Sequence, residues 1–414
     1  MQIFADIVNI GFFIWGWIMY RIHDDFVGRR YPESADLIAV CDAPVLKTGA
    51  IGGAVVIEAI EIVECDGIFV LRIFSREGIV GLSASDGRIA QLWPILENFI
   101  APYFIGRDAR DLESILDEVY VRENNYKLAG LAYFICIALI ETAVLDMLGK
   151  AANLPVAALL GDVVRQEIDI YIASGNRDTS PEEEVAILAE RVAQTGARAI
   201  KFKLGGRMSR NADSIAGRTE ALLYQARRHF GDDFIIHTDG NGSYDAPRAI
   251  EIGRICEDIG AYFYEEPCPF DDLWETRAVA DALAIPIAFG EQETSLRRFR
   301  WLIEESAADV LQPDVQYFGG LIRATKVARM AELANISITP HISGGITATW
   351  MLHLAAYTPN LGVYQEYKHF DNCETYFDPQ PIPKNGKIPL PKGAGLGMNI
   401  DKTLLSRARP VFKL

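Results

Sequence analysis

The sequence predicts an α/β protein: a modified (β/α)8-type barrel preceded by an α+β capping domain, with the C-terminal tail returning to complete that first domain. Two patterns predict this. From residue 166 the chain alternates short apolar strands with helical stretches, in units of about 25 residues. Ahead of that point strands come first and helices follow, the order of an α+β unit. The length of 414 residues, half of them hydrophobic, is enough for one large domain and a smaller one.

Residues 1–52 read as an N-terminal extension. Its stretch IFADIVNIGFFIWGWIMY, residues 3–20, is mostly apolar and about one bilayer long. Asp6 and Asn9 interrupt it and no basic region precedes it, so it is a poor signal peptide. A packing or disordered extension, a membrane anchor and an artefact of start-site choice all stay open for it. Any membrane association is expected through this segment alone, and the protein is otherwise expected in the cytoplasm.

Residues 53–165 form the expected capping domain. VVIEAIEIV and IFVLRIF read as strands joined by the turn ECDG, and SREG turns the chain again. DARDLESILDEVY has helical spacing, and LAYFICIALIETAVLDMLGK reads as a long, largely buried helix. Residues 166–374 form the expected barrel. Its eight strands are EIDIYIAS, ARAIKFKL, FIIHTDG, AYFYEEP, IPIAFGE, ADVLQPD, SITPHIS and GVYQE. Helical patterns lie between them, the first opened by Ser180 and Pro181. The Pro- and Gly-rich tail, residues 375–414, is expected to pack on the capping domain.

A formal charge of −16 argues against nucleic acid, because a phosphate backbone rewards Lys and Arg. It leaves a small anionic ligand open, since a local cluster of cations or a metal can invert the field. Cys41, Cys65, Cys136, Cys256, Cys268 and Cys373 lack CxxC spacing and read as reduced thiols.

The chemistry concentrates at strand ends. Residues i and i+2 of a strand share a face, so Lys201 and Lys203 of KFK point the same way. Active sites of such barrels lie at the C-terminal ends of the strands. There the third strand brings Asp239, the fourth Glu265 and the fifth Glu291, each 26 residues after the last. Three carboxylates at one mouth repel unless a cation holds them, and an all-oxygen set suits Mg²⁺. LQPD brings Asp314 and TPH brings His341, a pair in which the carboxylate holds the imidazole tautomer and raises its basicity. YQE brings Glu366, placed to touch a substrate oxygen or to brace the barrel.

With a carboxylate substrate on the metal, the cation stabilises the enediolate left by loss of the α-proton. Lys201 adds charge beside that carboxylate. Lys203 is a candidate general base, its pKa lowered by the metal and Lys201, and His341 handles a proton as well.

The pieces KFK, TDGN, YEEP, GEQ, QPD, TPH and YQE, in that order, resemble the enolase superfamily, and within it the mandelate racemase subgroup. ETAVLDMLGKAANLPVAALLGD, residues 141–162, resembles the segment joining capping domain to barrel there. The resemblance spans roughly residues 55–400. It implies Asp239, Glu265 and Glu291 as ligands of one Mg²⁺, and Lys203 and the His341–Asp314 pair as acid–base catalysts. It further implies Lys201 on the substrate carboxylate, Asn241 in the metal and substrate shell, and Glu366 stabilising the intermediate. A symmetric homo-oligomer is expected, of unspecified number.

One departure stands out. The first strand pair is joined by the short turn VECDG, where relatives carry a longer loop over the site. GLSASDGR, residues 81–88, is the candidate neighbouring lid segment, and the N-terminal extension a candidate substitute for part of the lid. Three functions follow: dehydration of a sugar acid to a 2-keto-3-deoxy acid, racemisation or epimerisation of a 2-hydroxy acid, and sugar-acid binding without turnover. The first is the leading reading. Asn124, Asn125, Tyr126, Arg177 and Arg207 are candidate readers of sugar hydroxyls, whereas Cys268 reads as packing.

Overall fold

The computed structural model describes residues 28–85, 87–342, 347–368, 377–379, 381–397 and 399–414. The stretch 3–20, Asp86 and Cys373 lie outside the described residues.

Alternating apolar residues build an antiparallel sheet from β1 (Ile57–Cys65), β2 (Ile68–Ser75) and β3 (Val80–Ser85). Asp66 and Gly67, both at positive φ, turn β1 into β2 in two residues, the geometry that matches strand twist. One sheet face, with Ile60, Ile62, Leu71 and Ile73, shares a core with the helix Leu131–Ala152. That helix is long and apolar enough to cross a membrane, a property the sequence reading gave to residues 3–20 alone. It is the core helix of the capping domain, buried along most of its length. VGLSAS, part of which reads as lid loop in the sequence, is instead β3. It lies so close to the helix that a Cβ on Gly81 would stand 2.0 Å from the Ala143 carbonyl oxygen.

Eight parallel strands follow: β4 (Glu167–Ala173), β5 (Ala199–Lys203), β6 (Ile235–Asp239), β7 (Phe263–Glu265), β8 (Ile287–Phe289), β9 (Val310–Leu311), β10 (Ser337–Ile338) and β11 (Tyr364–Lys368). From β4 to β10 each pairs with the next, β11 pairs with β4, and a bridge from Ile338 to Leu361 joins the two ends of the row. Helices cover the outside. The first, Pro181–Thr195, begins with a reciprocal cap between Ser180 and Glu183, which satisfies donors its own turn leaves open.

The segments flanking the two domains both touch the barrel. Part of the segment ahead of residue 53 is attached to the barrel. The helix Ser34–Asp42 buries Leu37 among Phe299, Leu302 and Phe318, and the Arg29 guanidinium donates to the Ala308 carbonyl and Asp309. The tail, likewise, reaches the barrel before the capping domain. β12 (Phe377–Asp378) pairs with β14 (Asn399–Ile400), while β13 (Lys387–Pro389) adds antiparallel to the start of β4. Only then does β15 (Arg409–Lys413) pair with β1.

Glu141 ties the domains together. It sits fully buried in the long capping helix, and its Oε1 accepts from the Ile322 N–H at the start of the barrel helix Leu321–Leu333. Its Oε2 has no hydrogen-bond partner. Burial pushes this carboxyl up to about 8, against partial relief from the Ile322 and Leu321 amides. The folded chain therefore holds one more proton than the unfolded chain between an ordinary value of 4.5 and about 8, and stability falls as pH rises through that window. Glu141→Gln should remove this slope. Denaturant unfolding from pH 5 to 8 is expected to show the variant gaining on the wild type by about 1 kcal/mol per pH unit. Parallel pH profiles for the two proteins would contradict it.

Candidate active site

Strand register assembles the site. Lys203 on β5 pairs across to Asp239 on β6, and Asp239 to Glu265 on β7, so three charged residues form one row at the strand ends. Glu291 follows β8 by two residues. Asp239, Glu265 and Glu291 each present an oxygen within 4.8 Å of the others, and all three are buried. Asp314 follows β9, His341 follows β10, and Glu366 lies in β11.

The lysines sit against this acid cluster. Lys201, wholly buried, places Nζ 2.7 Å from Glu265 Oε2, 3.3 Å from Glu366 Oε1 and 3.8 Å from Asp239 Oδ2. Burial pulls its pKa down, but Glu265 and Glu366 outweigh that and hold it well above the lysine range, so it stays an ammonium. Lys203 Nζ pairs with Asp239 Oδ2. Gln312, from the QPD motif, donates to Glu265 Oε2 at 2.9 Å. The backbone N–H of Asn241 donates to Asp239 Oδ1 at 2.8 Å, and its side-chain amide reaches Glu266 and Glu291.

The acids respond unequally. Burial and the adjacent Asp239 push Glu265 well above the carboxylate range, against the pull of Lys201. Glu291 is pushed up by burial too, yet His341 and Lys203 bring it below that range. Its Oε2 lacks a hydrogen bond. Three buried carboxylates on one point, with an unsatisfied oxygen, fit a divalent cation. All-oxygen ligation of a small hard cation needs this donor set at about 2.1 Å.

His341 is held from both ring nitrogens. Nδ1 lies 2.7 Å from Asp314 Oδ2, and Asp314 Oδ1 is itself fixed by the N–H groups of Gln316 and Tyr317. Nε2 lies 3.0 Å from the Lys368 ammonium and 3.3 Å from Glu291 Oε2. Asp314 and Lys368 thus hold the imidazole from opposite sides of the ring.

Above the cluster lies a cavity of about 830 Å³ between the capping domain and the barrel. Lys203, Glu291 and His341 line it, whereas Lys201, Asp239, Glu265, Asp314 and Glu366 are buried and not among its lining residues. Lys201 is buried, with its ammonium on Glu265 and Glu366. Arg207 lines the cavity, and the Arg177 guanidinium donates to Asn241 Oδ1. Asn124, Asn125 and Tyr126 are not among its lining residues. The buried amide of Asn125 donates to the Val119 and Phe99 carbonyls, closing the end of the helix Leu112–Val121, and the Tyr126 hydroxyl donates to Asn124. These polar groups serve the local turn. Cys268 is buried, as its neighbours suggested.

The sequence reading missed Lys368 and Arg191, both on the cavity wall, which Arg88 at the end of the candidate lid segment 81–88 also lines. Lys368 was findable: it follows Glu366 by two on the same strand, as Lys203 follows Lys201. Arg191 comes from the barrel helix Pro181–Thr195, and no local pattern marks it.

Residues 183–404 match the enolase C-terminal domain-like family, and residues 55–161 match the mandelate racemase / muconate lactonizing enzyme N-terminal domain. A provisionally named L-rhamnonate dehydratase of Caldivirga maquilingensis is 30% identical over 356 residues, 82% of this chain and 83% of its own. The arabinonate dehydratase of Saccharolobus solfataricus is 28% identical over 339 residues, 80% of this chain and 88% of its own. A mandelate racemase/muconate lactonizing protein of Paracoccus denitrificans, solved with magnesium, superposes with a TM-score of 0.81 at 25% identity, over 86% of this chain and 99% of its own. With both domains matched and the strand-end acids in one cluster, the chain belongs to the enolase superfamily, in its mandelate racemase/muconate lactonizing enzyme branch.

Proposed function

We propose that the protein is an Mg²⁺-dependent acid-sugar dehydratase, a hydro-lyase that converts an aldonate or aldarate to a 2-keto-3-deoxy acid. The observation that carries this reading is the presence of two proton-handling groups, Lys203 and His341, on one cavity wall beside the carboxylate triad. The dehydratase names of the L-rhamnonate and arabinonate relatives support the direction of reaction. The magnesium of the Paracoccus structure supports the metal.

Asp239, Glu265 and Glu291 would hold Mg²⁺, which when bound supplies positive charge at the substrate carboxylate. Lys201 reinforces that charge from below, and Glu366 holds Lys201 in place. One of Lys203 and His341 removes the proton at C2. The electron pair of the broken C2–H bond forms the C2–C3 double bond as the C3–O bond breaks. His341, as imidazolium steadied by Asp314, gives its proton to the leaving hydroxyl, and the enol tautomerises to the ketone. The same two groups would serve epimerisation at C2 if the C3–O bond stayed intact.

Metal binding is checked first. Mg²⁺ at 100 times its Kd should stabilise the wild type by about 2.7 kcal/mol in thermal unfolding, and Glu265→Gln and Glu291→Gln should lose that gain. A gain retained in both variants would move the metal elsewhere. The reaction is read by proton NMR in D₂O across aldonic and aldaric acids. A new deoxy-methylene signal is expected, with kcat at least ~100-fold lower in Lys203→Met and in His341→Asn. Deuterium at C2 with every hydroxyl retained would make the protein an epimerase instead.

A further inference from the structure

Resting on that reading, we propose that Asn176 reads the substrate: its side-chain oxygen accepts the proton of one hydroxyl of the sugar acid. Glu184, Thr179 and Arg218 are the positioning residues that fix which way its amide points. Asn176 follows β4 by three residues and lines the cavity with Ser174 and Gly175. The loop is pinned where it leaves the strand. The Ser174 N–H donates to the Lys201 carbonyl at 2.9 Å, and Ser174 Oγ accepts from the Asn176 N–H at 3.2 Å.

The direction of the amide follows from a chain of donors that begins at Arg218. This residue is buried at the start of the helix Arg218–Phe230, and a guanidinium only donates. Its Nε donates to the Thr179 carbonyl at 2.8 Å and its Nη1 to the Lys203 carbonyl at 3.0 Å, which ties the loop after β4 to the end of β5. Its Nη2 donates to the Asn176 carbonyl and to Thr179 Oγ1, both at 3.3 Å. The Thr179 hydroxyl accepts there, so its own proton goes to Glu184 Oε2, 2.8 Å away. Glu184 is wholly buried in the first turn of the helix Pro181–Thr195, with Oε2 4.0 Å from Arg218 Nη2. A carboxylate only accepts, so the Asn176 atom 3.1 Å from the same oxygen is the amide nitrogen. Asn176 Oδ1 is thereby left to the cavity, with no partner among the described residues.

An acceptor is what this wall is short of. Arg88, Arg191, Arg207 and Lys368 line it as cations that only donate. A sugar hydroxyl that accepts from one of them still carries its own proton, and enclosing that proton without an acceptor costs a hydrogen bond. Gln292 is held in a similar way, its amide 3.0 Å from Glu291 Oε1, but it sits at the metal triad after β8. Asn176 stands four strands round the barrel from it, so the two serve different parts of a sugar chain.

The test uses the intact Mg²⁺-loaded protein and calorimetric binding of D-gluconate, D-mannonate and D-galactonate, each beside its 4-, 5- and 6-deoxyfluoro analogues. Fluorine keeps the size of the hydroxyl and removes its proton. In the wild type, fluorine at one position should weaken the best hexonate by about tenfold. In Asn176→Leu, checked for unchanged unfolding temperature, that position should lose its penalty while the other positions keep theirs. Glu184→Gln supplies a readout that a brace alone would not move. Its new amide donates to Asn176 Oδ1 and turns Asn176 Nδ2 to the cavity, so the penalty at that position should shrink or reverse. Equal weakening of every acid in both variants overturns the proposal. So does a penalty that survives Asn176→Leu, the lack of any penalty in the wild type, or hexonates that do not bind. Neutron diffraction of the deuterium-exchanged protein decides the orientation without a ligand: deuterium on the Asn176 atom facing Glu184 is expected, and deuterium facing the cavity overturns it. Binding with the expected pattern but no turnover would sink the dehydratase reading and keep Asn176 as the hydroxyl reader.

Discussion

The arrangement depends on one electrostatic constraint: carboxylates buried together at the ends of adjacent strands need cations within reach. Asp239 and Glu265 stand side by side in the register of β6 and β7, with Glu291 close behind β8. Their repulsion shows in the carboxyl of Glu265, forced up by burial and by Asp239. The fold answers with lysines on the neighbouring strand. Lys201 and Lys203 share a face because β5 has a period of two, and the parallel register sets them beside the acids. A ring of charge in a dry barrel tolerates little displacement, since any group moved out of reach leaves another buried and unpaired. That rigidity is also what catalysis asks of a site that must meet developing charge without reorganising.

A second set of contacts holds the first. Gln312 on Glu265, the amides of Gln316 and Tyr317 on Asp314, and the Ile342 N–H on Glu366 each occupy a lone pair that would otherwise be free to turn. Gln316 also donates to Ser85 at the end of β3, so the loop that fixes the imidazole's partner is tied to the capping sheet. The capping domain thus bears on the chemistry through this hydrogen bond and through Glu141, as well as by covering the cavity.

Much of this was legible in the sequence, for a physical reason. Parallel strands deliver residues to one end of a barrel in chain order, so KFK, TDGN, YEEP, GEQ, QPD, TPH and YQE could be placed at one mouth before any coordinates. Lys368 obeys the same rule and escaped only because YQE was read as ending at Glu366. Other features are set by contacts distant in sequence. β3 is poor in strand-favouring residues, and its Gly81 makes sense only beside Ala143 of the long helix. The run Asn124–Tyr126 looked like a polar ligand-reading loop, but Asn125 faces inward to close a helix end. The tail's pairing with β4 likewise leaves no signal in a stretch of Pro and Gly.

The short β1–β2 turn has a consequence for the cavity. Asp66 and Gly67 close the hairpin in two residues, and no residue of that turn lines the cavity. The capping contribution comes instead from Arg88, the neighbouring helix residues Gln91 and Leu92, and the start of the long helix at Leu131 and Ala132. Apart from Arg88 and Gln91 these capping residues are apolar. Among the described residues, recognition of hydroxyls and charge is thereby left largely to the barrel loops, with Arg88 and Gln91 from above. Such a wall reads charge more strongly than it reads hydroxyl stereochemistry, because a guanidinium accepts an anion over a range of positions while a sugar hydroxyl needs a partner at one. A long mobile loop would permit discrimination by closure. A tight hairpin leaves that to the fixed residues of the cavity wall.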